Sequence, residues 1–137
     1  MISLILIAIA GMCNALYEII FVSFDQTIFK SLNPLFWNPQ VSWKNKWAQP
    51  FPQPAENKWY YFGFIPRYKE RFPYSSTMFV WITDAWHLFK AIMLVCIMAA
   101  IVLYVPIFTT FIDFILLYCT FTFVFTVFYD YIFRTKN

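Results

Sequence analysis

The sequence predicts an all-α fold: a small polytopic membrane protein with three transmembrane helices and a Trp/Pro-rich interfacial loop on the cytoplasmic face. Three observations lead there. The chain is 61% hydrophobic and 12% charged, against about 25% charged in a soluble domain, so it lacks the polar residues to cover a water-facing surface. Its apolar residues gather in long runs at 1–23, 77–105 and 108–133. The segment between the first two runs, 24–76, holds seven of the eight prolines and seven basic residues, so helix breakers and charge are segregated from the runs.

The first run, "MISLILIAIAGMCNALYEIIFV", precedes every Lys and Arg of the chain. It lacks the basic start and the small-x-small cleavage pattern of a signal peptide, so it reads as a retained span. About 20 helical residues, at ~1.5 Å each, cross a ~30 Å hydrocarbon core. The segment 24–76 cannot continue that helix, because proline fixes φ and removes a donor. Nor is it a solvated coil: "NPLFWNPQVSWKNKW" and "KWYYFGFIPRYKERF" are too aromatic. Trp, Tyr, Lys and Arg mixed in this way suit the headgroup zone, with ring bodies among acyl chains and polar tips in water. A compact loop lying on the membrane, with a short amphipathic helix near 24–33, follows.

Ser75 or Ser76 is a candidate N-cap for the second helix, expected over 77–105 and ending before Pro106. The third, 108–133, is rich in Phe and Thr, which lowers intrinsic helix propensity slightly. The need to satisfy every backbone group inside a bilayer overrides that. A basic tail, 134–137, closes the chain. Basic residues crowd the loop and the tail and are absent between the second and third runs. The positive-inside rule then places loop and tail in the cytoplasm and the N-terminus outside.

The polar residues inside the runs are the candidate site. Asp84, His87 and Lys90 are three residues apart, on neighbouring parts of one helical face near the cytoplasmic end of the second span. Glu18, Asp130 and Arg134 fall at the same depth on the other spans. Isolated charges in hydrocarbon are costly, so these six are expected to form one polar cluster where the helices meet the inner interface. Its plainer role is structural, fixing helix register. Its chemical role is acid–base work by His87 oriented by Asp84, with Glu18 as a third catalytic candidate. No nucleophile or oxyanion hole is identifiable. One His and one carboxylate fall short of a metal set, so no metal and no cofactor are expected.

Binding candidates are Lys90, Asp130 and Arg134 at the helix ends, with Trp37, Trp43, Lys44, Lys46 and Trp47 in the loop. Asp113, at the outer end of the third span, reads as a helix-start charge favoured by the N-terminal dipole. Cys13, Cys96 and Cys119 all lie in apolar runs without metal or disulfide spacing and read as small hydrophobes. Asn14 is placed to hydrogen-bond a neighbouring helix.

The motifs "FWNPQVSWKNKW" (36–47) and "TDAWHLFK" (83–90) resemble a pattern in small uncharacterised bacterial membrane proteins, chiefly of the Bacteroidetes and their phages. The resemblance covers about residues 24–90. It implies that the Trp-rich loop and the Asp–His helix form one functional unit, and it implies no reaction.

Three functions compete. The first is a scaffold whose cytoplasmic face binds lipid headgroups or a partner, either another membrane protein or a second copy. The second is a membrane-embedded enzyme or proton-coupled element. The third is a holin-like pore former, against which the long loop argues. Nucleic acid is not an expected partner, because the basic aromatic loop is as well explained by a lipid interface.

Overall fold

The computed structural model of the chain describes residues 1–52, 58–61 and 65–135. Three helices in it are long and apolar enough to cross a membrane. Helix α1 (Ile2–Ser23) is 22 residues, ~33 Å by its rise. Helix α4 (Ala85–Val102) runs antiparallel to it, and α5 (Thr110–Thr126) runs parallel to it. The ends fix these directions. The Ser3 hydroxyl, at the start of α1, donates to the Leu103 carbonyl just past the end of α4. At the other end, Phe21 of α1 meets Trp86 in the first turn of α4, with ring centroids 5.7 Å apart. Ile28 N–H, just beyond α1, donates to the Phe133 carbonyl beyond α5.

Both α4 and α5 pack on α1 and make little contact with one another. The central helix owes this to small residues. Ala10, Gly11, Cys13 and Ala15 are buried, and in lipid it is close packing, more than hydrophobicity, that holds helices together. At Gly11 the backbone of α5 comes so near that a Cβ would lie 2.7 Å from the Phe121 carbonyl oxygen. The outer faces of α4 and α5 carry exposed Leu94, Val95, Met98, Phe111, Phe114 and Phe123, a surface suited to acyl chains.

The second helix starts later than the expected 77–105. Residues 77–84 form turns and a short 3-10 helix (Val80–Ile82), and the N-cap is Asp84, not Ser75 or Ser76. The reason is local. The Asp84 carboxylate accepts from the His87 N–H at 2.9 Å, satisfying one of the amides a helix start leaves open. Ser75 Oγ instead donates to the Lys46 carbonyl, 2.6 Å away, tying the loop to itself. The third helix, expected over 108–133, begins at Thr110 with Thr109 as its cap and continues into a π-helix, Val127–Ile132.

Asp113 sits in the first turn of α5, as expected of a helix-start charge, and also organises the connection before it. Its carboxylate accepts from the Tyr104 hydroxyl (2.8 Å) and from the Ile107 (2.8 Å) and Phe108 (3.1 Å) amides. That hydrogen bond holds the Tyr104 phenol above its ordinary pKa.

The loop is a folded platform at one end of the bundle. In place of the amphipathic helix expected near 24–33 stand a 3-10 turn (Phe24–Gln26) and a run of turns, and two one-turn helices follow, α2 (Pro34–Trp37) and α3 (Pro39–Ser42). The sequence builds these by one device used twice, "NPLFW" then "NPQVS". Asn33 accepts from Leu35 N–H and Asn38 from Gln40 N–H, with proline at the first helical position, where no donor is missed. A 3-10 turn (Trp43–Lys46) follows. Residues 46–48 then pair with 69–71, through Ala48 N–H to Lys69 O and Arg71 N–H to Lys46 O. A hairpin of β1 (Lys58–Tyr61) and β2 (Ile65–Tyr68) lies between, a small addition to an otherwise helical fold. Pro54, Glu56 and Lys136 lie outside the described residues.

The platform is anchored by aromatics. Phe29 stacks on Trp37 at 4.7 Å and meets Phe133 at 5.5 Å, while Trp37 reaches Phe89 of α4. These rings close over Ile19, Ile20 and Ala85, which form the buried core at this end.

Candidate functional site at the loop end of the bundle

The polar candidates all lie at the platform end, as their common depth implies. They divide into separate local contacts; no hydrogen bond or ion pair among the described residues joins all six. Asp84 and His87 form the tightest unit. Because the backbone of His87 is held on the Asp84 carboxylate, its ring is brought back over the same group, with Nδ1 at 2.7 and 2.9 Å from the two oxygens. Asp84 is 1% exposed, so its charge has few places to go but the imidazole and the helix start. In this geometry a proton on Nδ1 donates to the carboxylate. The ring stacks on Trp86, which packs in turn on Tyr17 and Phe21.

Lys90 does not join that pair. Its ammonium lies 5.5 Å from the Tyr17 ring centroid, a cation–π contact on the exposed side of α4. Arg134 turns away from Asp130 and donates to the Gln26 side chain at 2.9 Å, while its backbone bridges Thr27. Asp130 is exposed in the π-helix. Glu18 is half-buried on α1 and has no hydrogen bond or ion pair with another described residue. The pattern follows from reach: each side chain sits near enough to the loop to find a local polar or aromatic partner, or water.

The loop candidates form a second group. Lys44 lies over the Trp43 ring at 5.7 Å and Lys46 over the Trp47 ring at 5.6 Å. Trp43 is exposed, and its indole N–H donates to the Gln40 carbonyl. Trp37 is part of the aromatic anchor instead, so its part is positional.

Two residues escaped the sequence reading. Asn45 is 7% exposed; its amide donates to the Thr83 carbonyl, directly before the Asp84 cap, and its oxygen accepts from the Arg71 guanidinium. A polar chain thus runs from exposed Arg71 through buried Asn45 to the start of α4. The spacing of "WKNKW" gave no sign of it, since Thr83 is 38 residues away. Ser42, fully buried in α3, has a hydroxyl with no partner among the described residues.

Chemically, the Asp84–His87 unit orients an imidazole. The Thr83 hydroxyl donates to the Asp84 carboxylate at 3.5 Å, but among the described residues no hydroxyl or thiol is hydrogen-bonded to the imidazole, and no three His, Cys, Asp or Glu side chains gather to hold a metal. No protein-family model matches this sequence, and no curated protein or solved structure matches it. Fold and composition define the class: an integral membrane protein of three apolar helices.

Proposed function

We propose that this protein is a membrane scaffold whose platform binds lipid headgroups at the cytoplasmic face of a bacterial inner membrane, with loop and tail inside. One observation carries the reading. The platform packs on one end of three apolar helices and presents Lys–Trp pairs, Lys44 on Trp43 and Lys46 on Trp47. A ring among acyl chains with an ammonium beside it is the arrangement an anionic interface favours. Each such cation contributes about 1 kcal/mol near an anionic surface. The excess of basic residues in loop and tail supports the same orientation.

The test is lipid selectivity. The protein is reconstituted in phosphatidylcholine vesicles, and the partition of spin-labelled phosphatidylglycerol to its surface is measured against labelled phosphatidylcholine. Enrichment that falls in the Lys44→Gln/Lys46→Gln variant is the expected result. Equal partition of both lipids around the wild type would sink the reading.

The Asp84–His87 geometry favours a second reading, in which the oriented imidazole exchanges protons at the interface. His87→Gln would then abolish a turnover or proton flux while leaving lipid selectivity intact.

A further inference from the structure

We infer that the cavity beside Arg71 is a binding site for one phosphate ester, carried by a lipid or free. The inference deepens the headgroup reading and rests on it, naming the group recognised and the residue that recognises it. The cavity is about 540 Å³, within the range of small-molecule sites, and its walls include Asn33, Leu35, Phe36, Asn45, Gln49 and Arg71.

Arg71 is fixed rather than free to wander. Its backbone N–H donates to the Lys46 carbonyl at 3.1 Å, and one guanidinium nitrogen donates to Asn45. Asn45 is itself locked by its bond to Thr83, so one edge of the guanidinium fork is held by a buried side chain. The remaining guanidinium N–H groups have no partner among the described residues. A planar donor fork held in this way matches two phosphate oxygens.

The acidic neighbour that could compete is engaged elsewhere. The Glu70 carboxylate accepts from the Tyr74 N–H and from the Ser76 N–H and hydroxyl, holding Tyr74 in a left-handed turn at φ 62°. Among the described residues no carboxylate lines the cavity. The rest of the wall suits the remainder of such an ester. Gln49 spends its N–H groups on the Lys44 and Trp47 carbonyls, which leaves its oxygen to accept from a ligand hydroxyl or ammonium. Leu35 and Phe36 supply the apolar side. The site's level, one hydrogen bond from the residue before the Asp84 cap, is that of the bundle's loop end.

The shared chemistry is a phosphate ester, and its source is a membrane lipid or a soluble phosphate. The experiment uses the full chain in dodecyl maltoside micelles, with the Asn45 side-chain amide followed by NMR. Dihexanoyl-phosphatidylglycerol and glycerol 3-phosphate are titrated separately. Saturable shifts are expected, weakened at least about tenfold by Arg71→Gln, the loss that follows removal of a charged hydrogen-bonding partner. Leu35→Trp narrows the cavity with Arg71 and Asn45 in place, and a comparable loss there supports the site even if Arg71→Gln misfolds. Tighter binding of the phospholipid assigns the site to lipid, and equal or tighter binding of glycerol 3-phosphate assigns it to a soluble ester. No saturable shift with either probe, or equal affinity in wild type and both variants, overturns the inference. If phosphatidylglycerol enrichment through Lys44 and Lys46 persists in that case, the pocket falls and the platform reading stands.

Discussion

Gly11→Ala is the sharpest test of the bundle. A Cβ at position 11 would meet the Phe121 carbonyl oxygen at 2.7 Å, with its carbon and Cα at 3.4 Å. Ordinary contact begins at 3.4 Å, so α5 must retreat by about 0.7 Å, and the atom it strikes is backbone and cannot rotate away. A gap of ~0.5–1 Å forfeits a quarter to a half of each dispersion contact along the seam. Overpacking of this kind costs about 1–3 kcal/mol. In water, alanine would recover ~1 kcal/mol through helix propensity. In a bilayer the separated helices remain helical, because their backbone groups have no other partners, so that gain cancels between the two states. The expected result is a loss of about 1–3 kcal/mol, read as a lower midpoint for reversible unfolding in mixed dodecyl maltoside–dodecyl sulfate micelles. Ile9→Ala, on the exposed side of α1, is the control and should leave the midpoint nearly unchanged. An unchanged or raised midpoint for Gly11→Ala would refute the claim that α1 and α5 touch here.

Three other outcomes are expected. Asp84→Ala removes the cap and the imidazole's partner, costing about 1–2 kcal/mol by thermal unfolding; nitrogen NMR should show the His87 ring proton leaving Nδ1, and an unaltered tautomer would contradict the pairing. For Tyr104, whose pKa is raised from 10.0 by the Asp113 hydrogen bond, the folded state holds its proton more tightly than the unfolded chain. Its contribution is therefore complete below about pH 10 and is lost as pH rises through the folded value, so alkaline destabilisation should shrink in Tyr104→Phe. Asn38→Ala should cost ~1 kcal/mol and raise hydrogen exchange several-fold at the Gln40 amide, with the spanning helices unaffected.

The spans were legible because lipid imposes a single rule on backbone groups, and long apolar runs answer it without help from distant residues. The cap of α4 was equally local and could have been found. Asp84 stands directly before an apolar helical run, whereas Ser75 and Ser76 are followed by eight residues that turn instead. The doubled Asn-Pro turn was also written in plain view at 33–42. What no local pattern discloses is pairing over distance: Asn45 with Thr83, Phe133 with Ile28, Gly11 with Phe121. The six-residue polar cluster illustrates the difference. Depth along the chain correctly placed its members at one end of the bundle. Lateral position around each helix decided which of them meet, and only Asp84 and His87, on one helix turn, share a bond.

The arrangement of α4 and α5 around α1 bears on how the protein is made. Of the three spans, the one synthesised first is the one both others require. When α4 enters the bilayer its partner is already there, and so it is for α5. Neither has to wait in lipid for a helix still to come, and neither must displace the other from a shared face. Such an order allows each span to settle as it arrives, with α1 already in place when α5 and the connection before it bring in Asp113 and the Tyr104, Ile107 and Phe108 donors that surround it.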